Sequence, residues 1–339
     1  MPFINSVRGV FGAAGPVGVT SPPLITYSGT TYNLLTQTIT FSTAGEYSIT
    51  VFSKCQVRAR VFGAGGGGSQ TGGWANPHVG GSGGYAGGIL TLSPGTSKII
   101  VGEGGSSNSF RCTIGGGASA QPKSGVSDNR YSACGGGFSG IFSGSGTVHD
   151  ATGGSGNTTY RTSGVQARAL IIAGGGGGGG NRSDSGSSNY AGGHGGGTDG
   201  TGGYGFSAPG SVDNDSRGTQ SAAGSATSNQ WGQNTAGAYM QGGHGGDQGY
   251  GGGGGGGYFG GSTANSANHM GSGGGGSGFL SSSVSNGSLI AGSSQTSPGG
   301  VGQTGYISGS GYGGNTGGGT SNSWTGGAGG AGIVILAPL

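Results

Sequence analysis

The segment LIIAGGGGGGG, residues 170–180, constrains the fold more than any other part of the chain. It joins a short apolar run, typical of a strand, to seven consecutive glycines. Glycine loses more conformational freedom in a helix or strand than any other residue, so this run is either disordered or belongs to a structure that forbids side chains. The ordered candidate is the left-handed polyproline II helix, which rises about 3.1 Å per residue and has no internal hydrogen bonds. Its backbone groups must then pair with closely approaching neighbours, which only glycine permits.

The composition is compatible with collagen, a disordered low-complexity chain or a glycine lattice. Glycine accounts for 97 of the 339 residues, and only 6% of residues are charged. Glycine occurs in blocks rather than in a Gly-X-Y period, and the chain has only ten prolines, which argues against collagen. Disordered chains are usually charged and poor in aromatic residues, whereas this chain has 13 Tyr, 11 Phe and 3 Trp. We therefore expect an ordered chain.

Charge is concentrated in the first two thirds of the sequence. The net charge is +3, eleven of the twelve Lys and Arg residues precede Asn189, and Asp247 carries the only formal charge after Arg217. The remaining surface is made of Gly, Ser, Asn, Thr and aromatic residues, which suits protein or carbohydrate partners better than phosphates. Nucleic acid is not an expected partner.

Cysteine usage and hydropathy exclude two further classes of protein. Cys55, Cys112 and Cys134 are too few and odd in number for a disulfide framework, although a Cys112–Cys134 pair stays open. The opening MPFINSVRGVFG lacks the apolar core of a signal peptide, and no run approaches the ~20 apolar residues of a membrane span. We expect no membrane insertion, and an extracellular role would require release by lysis or on a particle.

A two-residue alternation of apolar and polar side chains predicts strands in the first half of the chain. In CQVRARVF, Cys55, Val57, Ala59 and Val61 share one face, while Arg58 and its polar neighbours form a solvated face. Short strands separated by turn signals favour a β-sandwich or jelly roll, and no amphipathic helix is convincing. The strand predictions cover Ile39 to Phe41 and residues 45–52, 55–62, 88–92, 97–101, 168–173 and 332–337.

Glycine blocks separate these strands and dominate the chain after residue 180. They alternate with Ser-, Asn-, Thr- and Asp-rich stretches, which predicts polyglycine II helices joined by recognition loops. The expected organisation is an arm or first glycine helix (1–23), a β-sandwich with glycine-rich insertions (24–173), a polyglycine II lattice (174–331) and a closing strand (332–339).

Three stretches in succession carry a first resemblance: FSTAGEYSITVFSKCQVRARVFGAGGGG, GGYAGGILTLSPGTSKIIVGEGG and ARALIIAGGGGGGGNR. Their order is similar to that of the glycine-rich domain of anaplastic lymphoma kinase and leukocyte tyrosine kinase. The resemblance covers about residues 41–180 and implies a β-sandwich beside a hexagonal lattice of polyglycine II helices. We expect neither a kinase domain nor a membrane span in this chain, so receptor signalling does not carry over.

A second resemblance concerns function. Glycine blocks separated by variable aromatic and polar segments are similar to the receptor-binding adhesins at the tips of T-even-type phage long tail fibres. The ending GGAGGAGIVILAPL resembles the closing strand of phage glycine-rich tail proteins, and the opening 20 residues resemble structural proteins of marine tailed phages. In those adhesins a rigid lattice carries loops that touch the host receptor. The resemblance implies a virion protein, although the larger strand-rich first half of this chain departs from the pattern.

Motifs for catalysis or cofactor binding are weak. The G-x-G-x-x-G matches precede no helical pattern, and no G-K-[ST] ends a glycine block. His194 and His244 lie in GGHGG contexts but lack a complete metal-ligand set, so packing roles are favoured. Asp213 and Asp215 could hold calcium, but a polar turn is favoured. No G-x-S-x-G elbow is placed before a helix. We expect no enzyme activity, no cofactor and no bound metal.

The remaining candidates are aromatic residues beside or between glycine blocks. Each could seal an edge of the lattice, or be exposed as a receptor contact, because Tyr and Trp provide rigid, amphipathic contact area. The predicted partners are other virion proteins and a host surface protein or polysaccharide, with homo-oligomers left open. Decoration of a capsid or tail, a self-assembling fibre and ice binding are the alternatives. The candidate receptor-binding residues are Tyr190, Tyr204, Phe206, Trp231, Tyr239, Tyr250, Tyr258, Phe259, Tyr306, Tyr312 and Trp324.

Overall fold

The fold is mainly β, as the sequence predicts. Fourteen strands and two short 3-10 turns, Gln166–Arg168 and Asn214–Ser216, are the regular elements of the described residues. The predicted N-terminal arm, residues 1–23, lies outside them. The computed structural model describes residues 24–69, 78–107, 115–117, 132–148, 164–180, 191–205, 211–226, 235–245, 251–264, 271–315 and 326–339.

The larger of two main sheets has seven antiparallel strands. Their order across the sheet is β12 (Phe279–Leu280), β9 (Ala169–Ala173), β8 (Ser139–Ser143), β7 (Gly95–Val101), β4 (Gly45–Val51), β1 (Leu24–Tyr27) and β2 (Thr30–Asn33).

The second sheet has five antiparallel strands. Their order is β13 (Val284–Ile290), β6 (Tyr85–Leu92), β5 (Cys55–Phe62), β14 (Ile333–Ala337) and β3 (Ile39–Phe41), and a separate ribbon pairs β10 (Gly203–Gly205) with β11 (Ser211–Asp213).

The predicted strands are found close to their expected bounds. The predicted strand ranges do not include β1, β2, β8, β10, β11, β12 or β13, and the last four lie in the region assigned to the glycine lattice. Strand β13 reads VSNGSLI and is mostly exposed, so it lacks the apolar alternation on which the prediction depends.

One apolar core takes side chains from both main sheets. On β5 the predicted face is confirmed: Cys55, Val57, Ala59 and Val61 are buried in this core, while Arg58 is exposed on the opposite face. Buried residues of the larger sheet in the same core include Ile25, Ile49, Val51, Ile99 and Ile171. Full burial of a Val, Leu or Ile side chain stabilises a fold by roughly 1.5–3 kcal/mol.

Apolar side chains also cover part of the outer face of each sheet. Ile100, Phe142 and Ile172 of the larger sheet form a second cluster with Met240. Phe62, Tyr85 and Ile335 belong to a third cluster on the five-stranded sheet, against which Tyr306 packs. Strands β9 and β14 are therefore buried on both faces, which explains their unbroken apolar runs ALIIA and IVILA.

The glycine segments hydrogen-bond to one another with a repeat of three residues. From residue 175 to residue 179, successive N–H groups donate to Gly256, Ala64, Gly193, Gly253 and Gly67, at 2.7–2.9 Å. The carbonyls of residues 174–179 accept, in turn, from the N–H groups of Gly84, Gly276, Gly136, Gly81, Gly273 and Ala133. Segment 174–179 is therefore bonded to six neighbouring segments, drawn from both sides of residue 173, and five of these six neighbours recur after three residues.

The close approach of these backbones excludes side chains. A Cβ atom added at Gly177 would lie within 3.0 Å of the carbonyl of Gly273, and one added at Gly176 would meet Gly81 in the same way. The obstacles are backbone atoms, which cannot rotate away. The glycine block of residues 174–180 is thus required by packing, since every position in it faces a neighbouring backbone.

The cysteines are only partly described. Cys55 is buried, and burial raises the pKa of its thiol. Cys134 is buried as well, but the Cys112–Cys134 pairing left open by the sequence cannot be followed because Cys112 lies outside the described residues.

Candidate functional site

The candidate aromatic residues fall into three groups in the structure. Tyr239, Tyr258 and Phe259 lie together, Tyr306 and Tyr312 lie near the five-stranded sheet, and Tyr204 lies on β10. The candidates that lie outside the described residues are Tyr190, Phe206, Trp231, Tyr250 and Trp324.

Tyr239 is the most exposed of the described candidates, because a tight turn displays it. The N–H of Ala238 donates to the Gln241 carbonyl at 2.8 Å, and the N–H of Gln241 donates back at 3.3 Å. Met240 adopts a left-handed backbone conformation, with φ of 58°, and is only 2% exposed in the second apolar cluster. The side chain of Tyr239 is 49% exposed. Burial of the Met240 side chain therefore anchors the turn, while the adjacent Tyr239 remains exposed to solvent.

Backbone hydrogen bonds on both sides connect this turn to the glycine array, by which we mean the glycine segments that hydrogen-bond to one another around residues 174–179 and their neighbours. The N–H of Gly237 donates to Gly224, and the N–H of Gly242 donates to Gly115, at 2.9 and 2.8 Å. The carbonyl of Ala238 accepts from Gly260 at 2.8 Å. These hydrogen bonds therefore fix the backbone that carries the Tyr239 side chain.

Four rings form what we call the aromatic cluster: Tyr239, Tyr258, Phe259 and Phe279. The Tyr239 and Phe259 centroids are 4.7 Å apart, and Tyr258 meets Phe259 edge-on at 5.4 Å. Tyr258 stacks on Phe279, with centroids 4.0 Å apart and planes 7° from parallel. Phe259 is buried, whereas Tyr258 and Phe279 are half-buried. Burial raises the pKa of Tyr258, and Tyr239 adds to the shift, so the phenol is neutral near pH 7.

Phe279 is a member of this cluster that the sequence did not single out. It opens β12 directly after the block GSGGGGSG, so its position beside a glycine block is the same signal that identified Tyr258. Its strand carries only two residues and no alternation, so the strand prediction missed the segment.

Tyr306 and Tyr312 have mainly packing surroundings. The ring of Tyr306 lies 5.5 Å from that of Phe62, and its hydroxyl donates to the Ser310 carbonyl at 2.8 Å. Burial raises the pKa of Tyr306, and interactions with Tyr312 raise it further. Tyr204 is half-buried, and its N–H donates to the hydroxyl of Ser272 at 2.7 Å. These three residues do not join the aromatic cluster.

The two candidate histidines are built into the glycine array. Nδ1 of His194 lies 3.1 Å from both the backbone nitrogen and the hydroxyl of Ser82. The ring of His244 lies beside the side chain of Gln241, and the backbone N–H of His244 donates to the Thr235 hydroxyl. Burial lowers the pKa of both imidazoles. Within the described ranges there is no group of three or more His, Cys, Asp or Glu side chains that could hold a metal ion.

The Asp213 and Asp215 pair forms a local turn in the structure. Asp213 lies at the N-terminus of the 3-10 turn, and its carboxylate accepts from the N–H of Asp215 at 3.0 Å. This is the polar-turn arrangement that the sequence favours over calcium binding.

The groups around Tyr239 are aromatic rings and hydrogen-bonded backbone amides. Such rings provide rigid, amphipathic contact area. In the part of the chain that the structure covers, no helix has the length and apolarity to cross a bilayer. A scan against protein-family models and a search of curated protein sequences found no match for the chain.

Proposed function

We propose that the glycine segments form a lattice of polyglycine II helices packed beside a jelly-roll-like β-sandwich. The three-residue repeat of hydrogen bonds supports the first part, because the polyproline II helix has three residues per turn and directs its backbone groups outward. The six neighbours of segment 174–179 support a hexagonal arrangement. The apolar core shared by the two antiparallel sheets supports the sandwich.

We further propose that the chain is a non-enzymatic, receptor-binding adhesin at the tip of a phage tail fibre. The observation that carries this proposal is the display of Tyr239, which is half exposed on a turn anchored by a buried neighbour. A rigid aromatic contact loses little conformational entropy on binding, so it is suited to recognition. The neutral surroundings suit a protein or polysaccharide of the host surface.

The phage context comes from the resemblance to tail-fibre adhesins. In this proposal the chain is assembled on a virion through other fibre proteins and acts outside the cell. We propose that the candidate aromatic residues outside the described part of the chain extend the binding surface beyond the aromatic cluster. Decoration of a capsid or tail remains the competing role.

The test is binding of the purified, fluorescently labelled chain to a panel of intact marine bacteria. We expect saturable binding to a subset of strains, and at least a tenfold loss of affinity in Tyr239→Ala. Phe52→Ala is the matched control, because Phe52 is also an exposed ring, 59% accessible, but lies in the β4–β5 connection. Unchanged circular dichroism and melting temperature would establish that both variants keep the fold.

Two results would contradict the adhesin proposal. The first is equal loss of binding in Tyr239→Ala and Phe52→Ala, which would indicate nonspecific adhesion of exposed rings. The second is a micrograph of virions in which antibody against the chain labels a shaft or shell in many copies, which would favour the decoration role.

A further inference from the structure

A polar cleft lies on the outer face of the five-stranded sheet, on a part of the molecule that the adhesin proposal does not use. Its volume is about 190 Å³. The residues that matter for its chemistry are Arg58, Arg60, Tyr85, Gly87, Ser288 and Gln303.

The sheet register explains why two arginines share this cleft. Arg58 and Arg60 alternate on β5 with the buried residues of the core, so both project from the outer face. Arg60 pairs with Gly87 of β6, and Arg58 pairs with Ala337 of β14. The partners on the other side are Ile335 for Arg60 and Ile89 for Arg58, so each arginine has one small and one large cross-strand neighbour, and Gly87 and Ile89 both line the cleft.

Tyr85 provides a hydroxyl group at the same place. Its oxygen lies over Gly87, within 3.0 Å of where a Cβ atom would be, so glycine is needed for the ring to lie across the strand. The ring is 3% exposed and packs on Phe62 at 5.0 Å, and the hydroxyl shares a hydrogen bond with the side chain of Ser288. Burial raises the pKa of Tyr85, and the positive charges of Arg60 and Arg58 oppose the shift. Both arginines and Tyr85 line the same cleft.

The edge strand β13 completes the rim. Its register is broken between Ser285 and Ser288, and Asn286 within this bulge has a left-handed φ of 49°. Bulges redirect side chains, and Asn286 lines the cleft together with Ser288. Asn286 and Ser288 therefore add an amide and a hydroxyl group to the cleft that Arg58 and Arg60 line.

The positive charge of the cleft has no carboxylate partner within the described residues. The ion pair on the larger sheet joins Lys98 to Glu46 at 2.9 Å, whereas neither Arg58 nor Arg60 has an acidic group within 4.0 Å. Two like charges two residues apart on one strand face repel each other. An anion between them removes that repulsion and accepts hydrogen bonds from both planar guanidinium forks.

We propose that this cleft binds a single small oxyanion group, as a carboxylate on an acidic sugar or as a free tetrahedral anion. The guanidinium groups of Arg58 and Arg60 supply the charge and the paired donors. Tyr85 and Gln303 add neutral hydrogen-bonding groups that fix orientation. The site is independent of the aromatic cluster and of the adhesin proposal.

The test uses the full chain and four probes, namely galacturonate, inorganic sulfate, inorganic phosphate and neutral galactose. Each is titrated by calorimetry at an ionic strength held constant with chloride, while the arginine Nε–H resonances are followed by NMR. We expect saturable binding of at least one anion with shifts in Arg58 and Arg60, and no binding of galactose. Binding of galacturonate alone identifies a sugar acid as the ligand, and binding of sulfate or phosphate identifies a tetrahedral anion.

Variants separate a built site from general attraction to a basic surface. Arg60→Gln and Arg58→Gln should each weaken binding at least tenfold, because charge-assisted hydrogen bonds are lost. Lys54→Gln removes the same charge from an exposed position outside the cleft and should leave binding unchanged. Tyr85→Phe keeps the ring that packs on Phe62 and should weaken binding about threefold, which provides a test if an arginine variant does not fold.

The proposal is overturned if no anion binds saturably, or if galactose binds as tightly as galacturonate. It is also overturned if Lys54→Gln loses as much affinity as Arg60→Gln, since the effect would then be long-range electrostatics.

Discussion

The Nδ1 atom of His194 accepts a hydrogen bond from the backbone N–H of Ser82, at 3.1 Å. An imidazole nitrogen thus takes the place that a carbonyl oxygen occupies for the neighbouring donors Gly81 and Gly83. The bond requires Nδ1 to be unprotonated, so the ring is neutral with its proton on Nε2. The carbonyl of Ser82 accepts from Gly195 at 2.7 Å, so the pairing is part of the glycine array.

The first prediction is that acid destabilises the array. Burial lowers the pKa of His194 and His244 below the ordinary value of about 6.5 that applies to the unfolded chain. Below about pH 6.5 the unfolded state binds more protons than the folded state, so the free energy of unfolding falls as the pH decreases. The fall continues until the pKa of the folded state is reached, and its slope is at most about 1.4 kcal/mol per pH unit for each histidine. Urea unfolding at pH 7.5, 6.5 and 5.5 measures this slope.

His194→Asn is the matched variant for that experiment, since its Oδ1 accepts the Ser82 N–H without titrating. Its stability should depend less on pH than that of the parent chain, with His244 supplying the remainder. An identical slope in both proteins would show that His194 is not responsible.

The second prediction concerns the exclusion of side chains. Gly177→Ala places a methyl group within 3.0 Å of the Gly273 carbonyl, so the neighbouring backbone must move. The substitution should lower the free energy of unfolding by more than about 4 kcal/mol or prevent folding. Gly302→Ala is the control, since a Cβ there has no atom within 4 Å. It should be neutral or stabilise by about 0.4–1 kcal/mol through the unfolded state. Similar unfolding midpoints for the two variants would contradict the packing argument.

The third prediction separates anchoring from display in the Tyr239 turn. Met240→Ala removes a buried side chain and should destabilise the fold by about 2–5 kcal/mol. Tyr239→Ala, at a position that is 49% exposed, should change stability much less. Chemical denaturation of both proteins makes the comparison. A larger loss in Tyr239→Ala would mean that its contact with Phe259 anchors the turn.

The fourth prediction concerns the stacked pair Tyr258 and Phe279. A double-mutant cycle with Tyr258→Ala and Phe279→Ala should give a coupling energy of about 0.5–1.5 kcal/mol, as expected for aromatic pairs. Denaturant titration of the four proteins provides the cycle. A cycle between Tyr258 and Phe52, which lies outside the cluster, should give a value near zero.

Strands with a buried face could be predicted from the sequence because the residues on that face are apolar and recur with a regular pattern. The alternation in β5 identified its core residues, and the apolar runs of β9 and β14 identified strands buried on both faces. Strand β13 could not be found this way, because its exposed residues carry no period and its pairing depends on backbone bonds to β6.

The glycine array illustrates a different limit. Its presence could be predicted, because only a side-chain-free packing explains seven glycines in a row. Its neighbour list could not be predicted, because identical glycines carry no side chain to distinguish Gly256 from Gly193 as a partner. The aromatic candidates shared that limit: their place beside glycine blocks was visible, but the contact of Tyr258 with Phe279 depends on how the segments are arranged.

The six partners of segment 174–179 have a consequence for the order in which the chain assembles. They come from positions as far apart as Ala64 and Gly276, so the segment cannot satisfy its backbone until residues synthesised about a hundred positions later have emerged from the ribosome. Such long-range closure is slow relative to local contacts. Complete pairing of segment 174–179 therefore comes late relative to its own synthesis, and a nascent chain stalled before residue 251 would leave this segment only partly paired.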